Sequence, residues 1–268
     1  RYIAFEMFTL TFDEYLGMKR FYGQEAYPNL VKELDSYILE GGFPKSLEYP
    51  SLKDKRRYVE SVVKEIFEKD IKRRVKIRNK DTFDKMQTFL INNFGSTFSI
   101  SSMLRELEKQ GTKVKRETLK RYIDILLDAK ILYKCRRFDL KSKKSLQGEE
   151  KFYLADLSFY FTLNVDNRIN YGPVLENIVY QYMRSKDYEV SVGRIGNLEC
   201  DFLIRSPEMG YSYVQVAMTI MNDEKTEDRE YRALEAIRDN YPKYILTRDD
   251  LIQHRNGIKH FNIPEFIA

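Results

Sequence analysis

Apolar residues recur along this chain with two periods, helical through the first half and mostly alternating after it. Thr11 offers a cap for a short helix over Phe12–Met18, with Asp13 and Glu14 in the first turn, where the helix dipole favours acids. Pro28 opens a second helix, Asn29–Leu39, which puts Leu30, Val31, Leu34, Tyr37 and Ile38 on one face and ends at Gly41-Gly42. Leu52–Val75 is the longest periodic segment, with Tyr58, Val62, Ile66 and Phe67 as its stripe. Three shorter helices follow. Phe83–Phe94 ends at Gly95; Ile100–Lys109 starts from Ser99 (or Ser101 or Ser102) and ends at Gly111; Arg116–Asp128 turns Leu119, Tyr122, Ile123, Leu126 and Leu127 inward.

Alternation marks the strands. Tyr2–Leu10 reads as one, ahead of the first helix. Ile131–Phe138 and Lys151–Leu157 form a pair joined by the polar turn Lys141-Ser142-Lys143-Lys144. Three helices and then a two-stranded ribbon is the order of a winged helix-turn-helix. Beyond a polar linker, Asn164–Tyr171, and a boundary at Gly172-Pro173, Val174–Ser185 is amphipathic, with Glu176 beside its stripe. Strand Tyr188–Gly193, a hairpin of Cys200–Arg205 with Tyr211–Met218, helix Glu227–Asn240 and strand Tyr244–Thr247 complete a small α/β unit with a mixed sheet. The predicted class is α+β: a helical connector over 1–80, a winged helix over 81–163 and the α/β domain over 164–268.

Charge adds candidate surfaces to this outline. The 268 residues are 32% charged with a net charge of +5, which permits nucleic-acid contact without demanding it. The densest positive run, Lys72 to Arg78, suits either a solvated helix end or a phosphate or partner contact. On the last of the three helices and just before it lie Lys113, Lys115, Arg116, Lys120 and Arg121; on the ribbon turn lie Lys141, Lys143 and Lys144. Cations on both elements that flank a groove are what phosphate positioning needs. The two cysteines, Cys135 and Cys200, fall on separate strands with no metal-ligand spacing, so a reducing, cytoplasmic compartment is expected. His254 and His260 lack a third ligand nearby. No apolar run approaches the ~20 residues of a membrane span, and no signal peptide is expected.

The stretch LECDFLIRSPEMGYSYVQVA, Leu198 to Ala217, carries the chemistry. An acid on one strand followed by a polar-x-polar pair on the next is how metal-dependent nucleases hold a divalent cation and orient water. Here the pair is Gln215 and Ala217, so the pattern suggests the scaffold while one carboxylate and the lysine are missing.

Taken together, FTLTFDEYL (Phe8–Leu16), EGGFP (Glu40–Pro44), LKRYIDILLDAKIL (Leu119–Leu132), FYLADLSF (Phe152–Phe159), GPVLENIVY (Gly172–Tyr180), LECDFLI (Leu198–Ile204) and YILT (Tyr244–Thr247) resemble a large family of prokaryotic AAA+ (P-loop) ATPases of unassigned role. In that family a winged helix and a PD-(D/E)xK nuclease-like (restriction-endonuclease-like) domain follow the ATPase domain. The resemblance implies that the ATPase domain, with its ATP and Mg, precedes Arg1; no G-x-x-x-x-G-K-[ST] occurs here, so no cofactor is expected in this chain. It also implies that Glu176 and Asp201 are the acids of the nuclease-like site, metal ligands if that site is active, with Gln215 in the place of its third acid. The preferred expectation is a non-cutting region that binds DNA or a partner. An active metal-dependent endonuclease, with Lys225 or Arg229 supplying the cation, and an interaction or oligomerisation scaffold are the alternatives. Nucleic acid, the chain's own ATPase domain and, as one option, a second copy are the expected partners; no membrane contact is expected.

Overall fold

A computed structural model describes residues 3, 5–72, 77, 79–164, 168–206, 208 and 210–268. Helices form where a cap precedes an apolar stripe. Helix α1 (Phe12–Phe21) starts at Thr11, whose N–H donates to Glu14 Oε2 at 2.9 Å. Asn29 caps α2 (Leu30–Glu40) by accepting from the Val31 and Lys32 amides. Ser51 caps α3 (Leu52–Glu65), which continues into a π-helical turn, Ile66–Ile71. Asn79 caps α4 (Lys80–Asn92) and Ser99 caps α5 (Ile100–Lys109); α6 (Arg116–Asp128) follows. In the basic run at 72–78, only Lys72 and Ile77 are among the described residues; Lys72 pairs with Glu68 at 2.9 Å.

Among the described residues, eight strands build one mixed sheet. They are β1 (Thr97–Phe98), β2 (Leu132–Asp139), β3 (Lys144–Leu154), β4 (Glu189–Ile195), β5 (Leu198–Ser206), β6 (Gly210–Val216), β7 (Lys243–Thr247) and β8 (Lys259–Asn262), in the order β1-β3-β2-β4-β5-β6-β7-β8. The ribbon β2–β3 and the small α/β sheet are continuous, because β2 pairs in parallel with β4 from Arg137↔Val192 to Asp139↔Arg194. The sheet therefore crosses the boundary expected at 163/164. Helices α7 (Ser158–Leu163), α8 (Tyr171–Ser185), α9 (Glu224–Glu235) and α10 (Ile263–Ile267) pack around it. One large core joins α1–α8 to the sheet, and a smaller one lies under α9 around Leu203, Tyr213, Leu234 and Ile237.

Several expectations need correction. Residues 3 and 5–10 form no strand. Their alternation is real: Glu6 pairs with Lys130 and Arg184, and Phe8 stacks on Tyr133 at 5.6 Å. The opposite row, Ile3, Phe5 and Met7, is 81%, 91% and 94% exposed, and no strand among the described residues offers it a ladder. Gly172-Pro173 lies inside the first turn of α8, where proline is tolerated, rather than before it. Helix α9 starts at Glu224, earlier than read, because Asp223 caps it by accepting from Thr226 N at 2.8 Å. Strand β8 and helix α10 were not expected; buried His260 belongs to β8, its Nε2 lying 2.7 Å from Thr247 Oγ1 on β7.

The sheet is tied to the N-terminal helices where β3 ends. The Asn177 side chain on α8 accepts from Leu154 N at 2.7 Å and donates to Leu154 O at 3.1 Å. Ala155 O accepts from Thr9 Oγ1 at 3.0 Å and from Gln181. Buried Asp156 accepts from Gly42 N at 2.8 Å and Ser158 N at 2.9 Å. Gly41 has φ +78°, and any Cβ there would collide with the Asp156 carboxylate, so the segment after α2 must be glycine. Asn177→Leu keeps the volume but leaves the Leu154 N–H and C=O buried and unpaired. We expect a loss of about 1–3 kcal/mol for each, seen as a lower urea midpoint; an unchanged midpoint would remove Asn177 from this role.

Candidate functional site

Four elements bring a cluster of charges to one buried point. Strand β5 supplies Glu199 and Asp201, two residues apart; β3 supplies Lys151 and Tyr153; α8 supplies Glu176; β2 supplies Arg137. The Lys151 ammonium lies 3.0 Å from Glu176 Oε2, 2.9 Å from Glu199 Oε1 and 3.9 Å from Asp201 Oδ1. Tyr153 donates to Glu176 Oε2 at 3.1 Å. Arg137 pairs with the other oxygen of Glu199 and donates to Thr97 Oγ1 at 2.8 Å. Glu176 and Asp201, picked out from sequence, thus meet at one cation.

The hairpin opens at this point. The β5–β6 ladder runs only from Ser206↔Gly210 to Phe202↔Val214. Beyond it side chains replace backbone pairing: Asp201 Oδ2 accepts from Val216 N at 2.8 Å, and Gln215 Oε1 accepts from Asp201 N at 3.3 Å. Gln215 Nε2 donates to Glu230 on α9 at 3.1 Å. Gln215 therefore sits against Asp201 but is committed to structural bonds. Ala217 is buried and donates its N–H to Leu246 O at 3.0 Å. Arg229 is paired with Glu230 at 2.9 Å, and Lys225 is exposed on α9.

Burial dominates the protonation equilibria. It pushes Asp201 well above the usual carboxylate range, and the Glu176 charge adds to this; Lys151 and the Val216 N–H offset part of it. Glu176 is raised by burial too, against the pull of Lys151 and the Tyr153 hydroxyl. For Lys151, burial favours loss of the proton, but Glu176, Asp201 and Glu199 outweigh it and hold the ammonium above its ordinary value. Two cations, Lys151 and Arg137, thus face three carboxylates, Glu176, Glu199 and Asp201. The neighbouring Cys135 thiol is pushed up to about 12 by burial and is inert as a nucleophile at neutral pH.

A divalent ion does not fit this arrangement, because an ammonium already fills the space between the carboxylates. Among the described residues no group of three or more His, Cys, Asp and Glu is arranged to hold a metal. Sequence reasoning missed Lys151, Tyr153, Glu199 and Arg137. The signals available were Glu199, two positions before Asp201, and a lysine directly ahead of the apolar run Phe152-Tyr153-Leu154.

The predicted basic residues divide into two groups. Arg116 and Lys120 on α6 line a cavity of about 690 Å³ between α5, α6 and the ribbon, together with Lys134 and Arg136 on β2. Arg116 donates to Ser101 Oγ at 2.8 Å. Asp124 and Glu150 are the acids of this lining. Lys113 and Lys115 are exposed just ahead of α6, and Arg121 lies over the Tyr122 ring at 6.0 Å. Lys141 and Lys143 line a different cavity at the ribbon turn, and Lys144 is exposed at the start of β3. Lys134 and Arg136 escaped notice because they were counted as strand residues.

Fold and site define a mixed α/β protein with a lysine-filled carboxylate cluster and a basic groove; among its described residues no helix is long and apolar enough to cross a membrane. The chain belongs to the family described as "Domain of unknown function (DUF8612)", which matches residues 31–168. It is 28% identical over 248 residues to an uncharacterized protein of Haemophilus influenzae, covering 92% of this chain and 60% of that protein. It is also 28% identical over 264 residues to uncharacterized protein MJ1544 of Methanocaldococcus jannaschii, covering 93% of this chain and 58% of that protein. The chain thus spans about three fifths of the length of the curated relatives it matches. No solved structure matches it.

The cluster makes a pH-dependent prediction for Lys151→Met. Without the ammonium, Glu176 and Asp201 lose their main downward pull and rise further. A carboxyl raised in the folded state stabilises below its unfolded value and destabilises increasingly as pH climbs through the folded one. We expect a loss of about 3–5 kcal/mol at neutral pH and a clearly smaller loss near pH 5. Urea unfolding at the two pH values checks this; an equal loss at both would show that the carboxylates are not coupled to Lys151.

Proposed function

We propose that this chain binds nucleic acid through the groove between α6 and the β2–β3 ribbon, and that its nuclease-like site is a structural relic. In this reading α4–α6 with the ribbon act as a winged helix, and α8 with β4–β7 and α9 as a PD-(D/E)xK-type unit. The chain would serve a longer protein in which an AAA+ ATPase domain supplies ATP and Mg chemistry. The observation that carries the binding role is the groove itself. Arg116 and Lys120 from the helix face Lys134 and Arg136 from the ribbon, four cations against two acids, on the two elements that would flank a duplex.

Three features support a relic rather than a working nuclease. Lys151 takes the place between the acids that a divalent cation would need. Gln215 is bonded to the backbone and to Glu230, and Ala217 offers no cation. What remains of the site serves folding: the acids and the lysine neutralise one another where α8 crosses the sheet.

Gel-shift titration of duplex DNA over a range of salt tests both halves of this reading. Lys120→Glu with Arg136→Glu should weaken binding irrespective of sequence and reduce the slope of log affinity against log salt by about one per lost phosphate contact. The unmodified chain should leave supercoiled DNA intact in Mg²⁺ or Mn²⁺. Unaltered affinity in the double variant would remove the groove from the binding surface. Nicking that disappears in Asp201→Asn would show the cluster to be catalytic.

A further inference from the structure

The turn of the ribbon closes a second cavity, of about 1010 Å³, over the small core beneath α9. Its floor is apolar, built from Leu140, Leu198, Leu203 and Ile237. Its wall is aromatic: Tyr211 and Tyr241 meet edge to face at 5.4 Å and 80°, and Tyr241 keeps 43% of its surface open. Gly210, at φ +74°, lets the β6 backbone approach the Tyr241 ring; a Cβ there would lie 3.4 Å from it. Three cations, Lys141, Lys143 and Arg238, border the cavity and make no ion pair among the described residues. The single acid in the lining, Asp239, is already engaged: it accepts from Tyr213 Oη at 2.6 Å and pairs with Lys243 at 3.4 Å.

An apolar floor and an open tyrosine ring favour a flat, apolar group, whereas unpaired cations at the same opening favour an anion. A nucleotide combines both, with a base that stacks on aromatic rings and phosphates that pair with lysine and arginine. The position favours a nucleotide within a strand over a free one. Strand β2 carries Lys134 and Arg136 in the groove and leads directly into Lys141 and Lys143 at this cavity; the seven steps from Lys134 to Lys141 cover roughly 23 Å at ~3.3 Å per residue. A strand leaving the groove along the ribbon passes from the cations of the groove to those of this cavity. We infer that this cavity takes an unpaired nucleotide from a single-stranded extension, its base on Tyr241 above the apolar floor and its phosphates at Lys141, Lys143 and Arg238. The inference rests on the proposed nucleic-acid binding of the groove and adds that the preferred substrate is a junction of duplex and single strand.

Fluorescence anisotropy with the full chain distinguishes the two claims. The probes are a blunt duplex, the same duplex with a single-stranded oligothymidylate extension, and oligothymidylate alone. The extension should raise affinity about tenfold, in line with base–aromatic stacking. Tyr241→Ala and, separately, Arg238→Glu should abolish that gain while leaving blunt-duplex affinity unchanged, and Tyr241→Phe should retain it. Lys120→Glu with Arg136→Glu should weaken both duplex probes and spare the gain from the extension. An extension that adds nothing, or a gain that survives both Tyr241→Ala and Arg238→Glu, would overturn the inference while leaving the groove reading intact. Failure to bind either duplex refutes the groove reading. In that case Tyr241-dependent binding of oligothymidylate alone would sustain the cavity's role, and its absence would overturn that too.

Discussion

The end of β3 is the constraint on which the rest of the structure depends. A strand that stops inside the protein leaves backbone donors and acceptors with no ladder partner and no water, and each must be satisfied locally. Here the partners come from three distant segments. Asn177 on α8 serves both polar groups of Leu154; Thr9 and Gln181 serve Ala155 O; Asp156 turns back to hold Gly42 behind α2. This one junction fixes α8 across the sheet, the N-terminal segment against α8, and the α2 exit against both. FTLTFDEYL, EGGFP, FYLADLSF and GPVLENIVY contribute Thr9, Gly42, Ala155, Asp156, Leu154 and Asn177 to it. These segments thus supply the junction's bonds, and the last of them also carries Glu176 of the charge cluster.

The same crossing of α8 over the sheet creates the buried charge problem. Glu176 lies one residue before Asn177, so the docking that satisfies Leu154 also carries Glu176 inward, 3.0 Å from Lys151. Burial penalises the carboxylates and the ammonium alike, and mutual pairing makes the arrangement tolerable. The upward shifts at Glu176 and Asp201 and the upward shift at Lys151 are therefore compatible. The first two reflect burial only partly offset, and the last reflects three acids around one amine.

Local signals in the sequence were read well, and long-range ones were not. Ser99 precedes an apolar stripe and caps its helix where expected, because capping is decided within a few residues, whereas Asn29, read as the first helical residue, is itself a cap. Arg116–Asp128 and Ile100–Lys109 have the bounds their periodicity indicated. Alternation alone misassigned the described part of Tyr2–Leu10, residues 3 and 5–10, since a strand also needs a neighbour, and no sequence window reports whether one exists; Tyr2 and Ala4 lie outside the described residues. Lys151 was invisible for a related reason. It lies on β3, with β2 and β4 between it and β5, and only the parallel pairing of β2 with β4 folds that distance away. Asp201 and Glu176 were legible as acids in suggestive places; their common partner was not.

The continuity of the sheet bears on the two cationic surfaces. A ribbon attached to a separate domain by a linker swings freely, and any surfaces at its base and its turn then act independently. In this chain β2 is hydrogen-bonded to β3 on one side and to β4 on the other. The groove bordered by Lys134 and Arg136 and the cavity bordered by Lys141 and Lys143 are therefore held at a fixed separation and angle by the same ladder that positions β5. A ligand spanning both would meet sites ordered before it arrives, and ordering in advance is what lowers the entropic cost of association. The buried cluster contributes to this rigidity. By joining β2, β3, β5 and α8 through Arg137, Lys151, Glu199 and Glu176, it braces the region where the ribbon meets the remainder of the sheet.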